Sequence, residues 1–153
     1  IKLHGSKFWV AGSTDGNSSK GKINWSGITF DPSVTKEQRT ALISVMHHLY
    51  EVERDSFTIT KAARIEWHAG KGSAEALLDG GKIAEMVLRL TPKMSDAPVM
   101  VQNLKFWGSQ SNNGFALIPS KVSAYRAGDR QFEFRDTNGF VTTIEITSKA
   151  QLP

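Results

Sequence analysis

The sequence predicts an α+β fold, a largely antiparallel sheet of about seven to nine strands carrying one main amphipathic helix near residues 35–50. Three observations carry this expectation. Only one stretch, Thr35 to Tyr50, has apolar residues at helical spacing behind a capping pattern. Apolar residues recur at period two through much of the remaining chain. Glycine and asparagine turn signals, such as Asp79-Gly80-Gly81 and Asn138-Gly139, separate those runs.

Taken in order, Leu3 and Phe8-Trp9-Val10 suit a first strand, and Ser13–Lys20 reads as a polar turn. Lys22–Phe30 is a strand whose apolar parity switches between Trp25 and Ile28, which predicts a bulge at Gly27. Asp31-Pro32 stops it. Thr35 is an N-cap with Gln38 completing the box, and Leu42, Val45, Met46 and Leu49 form one stripe. Phe57, Ile59, Ala63, Ile65 and Trp67 keep odd parity from Ser56 to His68, interrupted only by Lys61, and predict a strand with Glu66 and His68 on its other face.

Ser73–Leu78 and Lys82–Leu90 form a hairpin about Asp79-Gly80-Gly81, with Ala84, Met86, Leu88 and Leu90 inward and Glu85 and Arg89 outward. Thr91–Ala97 is a loop, a strand runs from Pro98 towards Trp107, and Gly108–Gly114 is a connector without phosphate-loop spacing. Phe115–Ile118 and Val122–Tyr125 read as two strands divided by Pro119. Phe132 and Phe134 lead to a turn at Asp136–Gly139, from which Phe140, Thr142, Ile144 and Ile146 return. Successive hairpins favour pairing between neighbours over crossover connections. Trp9, Trp25, Trp67 and Trp107 all fall in strands, as sheet aromatics in preference to a stacking platform for a ligand.

Length and composition bound the function. At 153 residues the chain fits a single domain, residues 1–153, with no internal repeat or linker. Net charge is +4 with basic and acidic residues interspersed, so no basic stripe suggests nucleic acid as a partner. No apolar run approaches the ~20 residues of a membrane span. With no cysteine, the chain itself offers no thiolate nucleophile or thiolate metal site.

The residues with possible site chemistry are few. Glu66 beside His68 could serve proton transfer or bind a metal, or could be an exposed polar pair. His47 and His48 point about 100° apart on a helix, which poorly suits a shared ion. No paired-carboxylate motif and no Gly-x-Ser-x-Gly elbow occurs, so catalytic and cofactor-binding residues are expected to be none.

Lys20-Gly21-Lys22-Ile23-Asn24-Trp25, Ile28–Pro32 with Glu37-Gln38-Arg39, Asn103–Gly108 and Thr137–Phe140 together resemble a bacterial family, the domain-of-unknown-function family numbered 1326. The resemblance covers nearly the whole chain and implies an exported protein, periplasmic or secreted. Fuller members open with a leader and a Cys-Pro-Cys segment, followed by a stretch whose tail Ile1-Lys2-Leu3-His4-Gly5 resembles, with His4 in place of Asp. Ile1 is then expected to fall mid-domain, with a segment upstream. The function expected is a non-enzymatic binding or accessory module. The alternative is a metal or thiol-redox protein whose upstream cysteines bind copper or zinc, with His4, His68 and Glu66 as the weak candidate ligands in this chain and His47 and His48 behind them. A sheet edge could recruit the upstream segment or a partner subunit. An enzyme using Glu66 and His68 is the least favoured reading.

Overall fold

A computed structural model describes residues 1–14, 22–49, 53–91, 97–103, 105–106, 109–110 and 113–144. The chain is α+β, as expected. Its described strands are divided among a four-stranded sheet, a six-stranded sheet and a two-stranded ribbon. They belong to two compact units, one of residues 1–63, 105–110 and 144–153, the other of residues 64–104 and 111–143.

In the first unit, β1 (Phe8–Thr14) pairs antiparallel with β2 (Lys22–Phe30). The parity switch in β2 is real, but its position differs from the expected Gly27. Ala11 faces Gly27 and Gly12 faces Ser26 in regular register, and Asn24 is the extra residue between Trp25 and Ile23. That insertion gives Ile23 the parity of Ile28 and Phe30, and all three are buried. Gly27 has another use, since Thr58 and Thr60 lie close against it.

The helix α1 spans Lys36–Leu49. Its start is the reciprocal box that the sequence spells out. The Gln38 amide N–H donates to Thr35 Oγ1 at 3.2 Å, and the Thr35 N–H donates to Gln38 Oε1 at 2.9 Å. Leu42 and Met46 bury their side chains against Ile28, Phe30 and Val34, with Leu3, Phe8, Ile43 and Phe57 around them. Arg39 lies over the Phe30 ring, 5.5 Å from its centroid, and donates from Nε to the Val34 carbonyl.

After the helix the chain returns as β3 (Glu53–Arg54) and β4 (Phe57–Ile59), both parallel to β2. Expected neighbour pairing gives way here to a β–α–β crossover, because a helix long enough to span the sheet brings the next strand back in the same direction. The expected strand from Ser56 to His68 is two strands: β4 in this unit, and β5 (Ile65–Gly70) in the other. Odd parity carries across the break by coincidence.

The second unit holds β5, β6 (Ser73–Leu78), β7 (Ala84–Arg89), β8 (Val99–Val101), β11 (Phe115–Tyr125) and β12 (Phe132–Val141), in the order β12-β11-β7-β6-β5 with β8 also on β11. Between β8 and β11 in the chain, β9 (Lys105–Phe106) and β10 (Ser109–Gln110) make the ribbon. That replaces an unbroken strand towards Trp107, and Trp107 lies outside the described residues.

The Asp79-Gly80-Gly81 hairpin forms as expected, with φ of 53°, 64° and 94° along it. Two other expectations fail together. Pro119 does not divide two strands, and Asp136–Gly139 is not a turn: β11 and β12 pair along their lengths, with Pro119 opposite Asn138. Pro119 is tolerated because it stands where the other flank of β11 changes partner, from β8 at Phe115–Leu117 to β7 from Ser120 onward. The connection between β11 and β12 is Arg126–Gln131, with Gly128 at φ 61°.

Lys121 is an extra residue relative to β7, and Asp136 in β12, left unpaired in the same register, adopts φ 55°. The two irregularities reverse parity in both strands at one level. One face therefore continues from Ile118 and Ser120 to Ser123 and Tyr125, and from Gly139 and Thr137 to Phe134 and Phe132. Through the registers it extends over Ala84, Met86 and Leu88, then Ala74, Ala76 and Leu78, to Ile65 and Trp67. Its central members Leu78, Ala84, Leu88 and Ile118 are buried.

Candidate functional site

The alternation of β5 places Glu66 and His68 on one face, opposite the apolar one, as the sequence leads one to expect. They lie at the end of the sheet, on its surface. His68 Nε2 is 4.0 Å from Glu66 Oε2, and Arg64 Nη2 donates to Glu66 Oε1. Glu75, across from His68, pairs with Arg89 at 3.7 Å. The His68 side chain is largely exposed and that of Glu66 partly so.

His4 stands in an exposed turn of the first unit, closed by the Ser6 N–H donating to the Leu3 carbonyl, while Glu66 and His68 belong to the second. His47 and His48 occupy the last turn of α1. The His47 ring packs 5.4 Å from Phe57, and its Nδ1 lies 3.4 Å from Arg54 Nη1, whose pKa is lowered by burial. Among the described residues, no three His, Asp or Glu side chains converge as a metal-binding group.

The densest polar arrangement is one that sequence reading missed. Arg126 Nη1 donates to the Gly81 carbonyl at 2.8 Å, while Nη2 reaches Glu85 Oε1 and Glu133 Oε1, each at 3.0 Å. Arg135 Nη2 donates to the same Glu133 oxygen at 3.2 Å. These bonds hold the guanidinium of Arg126 above its ordinary pKa through Glu85 first and Glu133 second. Glu133 is held below the usual carboxylate range, chiefly by its hydrogen bond from Arg126. The cluster joins the β6–β7 turn to the β11–β12 connection. Every charge in it is matched by a neighbour, which suits a brace better than a reacting centre.

The third feature is apolar. Among the described residues of this unit, the large hydrophobic side chains left exposed are Trp67, Val99, Met100, Phe134 and Phe140. All five lie on β5, β8 or β12, the marginal strands of the sheet. Trp67 and Phe134 stand at the two flanks of the apolar face, 51% and 57% exposed. Phe140 packs edge-on against Phe115 on the other side. The Trp67 exposure left no mark in the sequence, since a period-two pattern gives the face of a residue and not whether its strand is central.

Among the described residues, no helix is long and apolar enough to cross a membrane. Compared with known proteins, the chain matches no family model, no curated protein and no solved structure.

Proposed function

We propose that this chain is a non-enzymatic binding or accessory module of an exported bacterial protein, working in the periplasm or outside the cell. The observation that carries the binding role is the exposure of large apolar side chains at both margins of the sheet, Trp67 on β5 and Val99, Met100, Phe134 and Phe140 on β8 and β12, beside backbone edges. Exposed apolar surface beside a strand edge suits recognition by strand addition, in which main-chain bonds give affinity and alternate side chains give selectivity. The ionisable groups support the same reading, because Glu66, Glu75, Glu85 and Glu133 are each held in ion pairs. The export part rests on the resemblance of the sequence motifs named above to family 1326.

Purified protein is expected to show no turnover across hydrolase and oxidoreductase substrate panels, and cell fractionation is expected to recover it outside the cytoplasm. A turnover abolished by Glu66→Gln or His68→Ala would overturn the binding reading. Recovery in the cytoplasm would overturn the export reading alone.

A further inference from the structure

We propose that Asn113 is a site of spontaneous covalent modification, deamidation through Gly114, and that the fold protects the chain's other Asn-Gly pair, Asn138-Gly139, from the same reaction. The inference goes beyond the binding reading, because it concerns a chemical change in the chain itself.

Asparagine followed by glycine is the pair most open to this chemistry, since no side chain beside the glycine nitrogen hinders its attack. The Gly114 nitrogen forms a bond to Asn113 Cγ, the Cγ–Nδ2 bond breaks, and ammonia leaves carrying the proton of the Gly114 N–H. Water then opens the five-membered imide. Cleavage of the new bond yields aspartate, and cleavage of the original peptide C–N bond yields aspartate linked through Cγ. Nothing is oxidised or reduced, and water is the co-reactant.

The two pairs share this chemistry and differ in their backbone. Asn113 stands exposed in a turn, and Gly114 follows it at φ 77°. Both precede β11, so the peptide between them lies outside the ladders to β8 and β12. The Gly114 carbonyl is fixed by Thr142 Oγ1, which donates to it at 2.9 Å. That leaves ψ of Asn113 and φ of Gly114 to counter-rotate, and glycine accepts a wide range of φ. Asn138 is exposed as well, but it lies inside β12, with Asn138 opposite Pro119 and Gly139 opposite Ile118. Leu88 and Met86 also crowd Gly139. Swinging the Gly139 nitrogen onto the Asn138 side chain requires that stretch of β12 to open first.

Either product replaces a neutral amide by a carboxylate and lowers the formal net charge by one from +4. The Cγ-linked product also lengthens the main chain by one atom just ahead of Phe115, which is buried and meets the Phe140 ring edge-on. The change falls where β8, β11 and β12 join.

Incubation of the folded full chain in mildly alkaline buffer, followed by tryptic peptide mass measurement, tests this directly. Asn113 falls in peptide 106–121 and Asn138 in peptide 136–149. A gain of about 1 Da is expected in both, at a rate for Asn113 about tenfold or more above that for Asn138, the factor that ~1.4 kcal/mol of strand opening imposes. In concentrated urea the two rates are expected to converge. Asn113→Gln is expected to abolish the gain in peptide 106–121. Equal rates in the folded chain, a difference that persists in urea, or a gain that survives Asn113→Gln would overturn the inference.

Discussion

Gly12 and Gly139 both lie inside strands, and each is required by a different neighbour. A methyl group on Gly12 would stand 2.7 Å from the Trp25 carbonyl oxygen, beside the extra residue in β2, and that backbone atom has little room to retreat. On Gly139 it would stand 2.6 Å from Leu88 Cδ2 and 3.0 Å from Met86 Cε, which are ends of side chains that can turn. Both alanine substitutions are forms of overpacking, with a cost of about 1–3 kcal/mol. Gly12→Ala is expected near the upper end and Gly139→Ala near the lower, as read from urea unfolding. The reverse order would show that the core around Leu88 is the stiffer of the two. Gly139 also explains a misreading. Asn-Gly is the strongest hairpin signal in a sequence, yet here the glycine makes room for Leu88 and has no left-handed backbone to serve.

At the scale of elements, α1 was legible because its information is local: cap, box and stripe lie within four turns. Thr35→Ala removes the acceptor for the Gln38 N–H and is expected to cost about 1 kcal/mol. Thr35→Asn should retain most of it, and an equal loss for both would show that the cap contributes nothing. The sheet was less legible, and the reasons can be stated. Parity gave the faces of β6, β7 and β5, including the shared face of Glu66 and His68. It did not show that Phe57 and Ile65 lie in different strands, because the one interruption of the odd parity, Lys61, is a single polar residue within the break between Ile59 and Ile65. Pro119 misled because the cost of a missing N–H depends on whether a partner strand is there to receive it. The Arg126 cluster was out of reach altogether, since its partners Gly81 and Glu85, at and just after the β6–β7 turn, lie far from it in sequence.

At the scale of the whole molecule, Glu133 links stability to pH. Its carboxyl is held below its ordinary range in the folded chain. It therefore contributes stability that is fully present above the unfolded carboxylate range and is lost as pH falls through the folded value. Arg126, shifted upward, stays charged throughout and adds no slope of its own. Unfolding midpoints measured downward from neutrality should fall more steeply for the wild type than for Glu133→Gln, and parallel curves would remove Glu133 from the acid response.

The place of β11 in the chain governs the order in which the molecule can be made. It pairs with β7, β8 and β12, yet among the described strands it is the last but one to leave the ribosome. Until Phe115–Tyr125 emerges, β7 offers an open flank carrying Met86 and Leu88, and β8 has nothing to pair with. Such long-range pairing folds slowly, on a scale of roughly milliseconds to seconds. During synthesis the nascent sheet is therefore sticky for as long as its middle strand is missing, and holding that flank apart from other chains becomes a task for the cell.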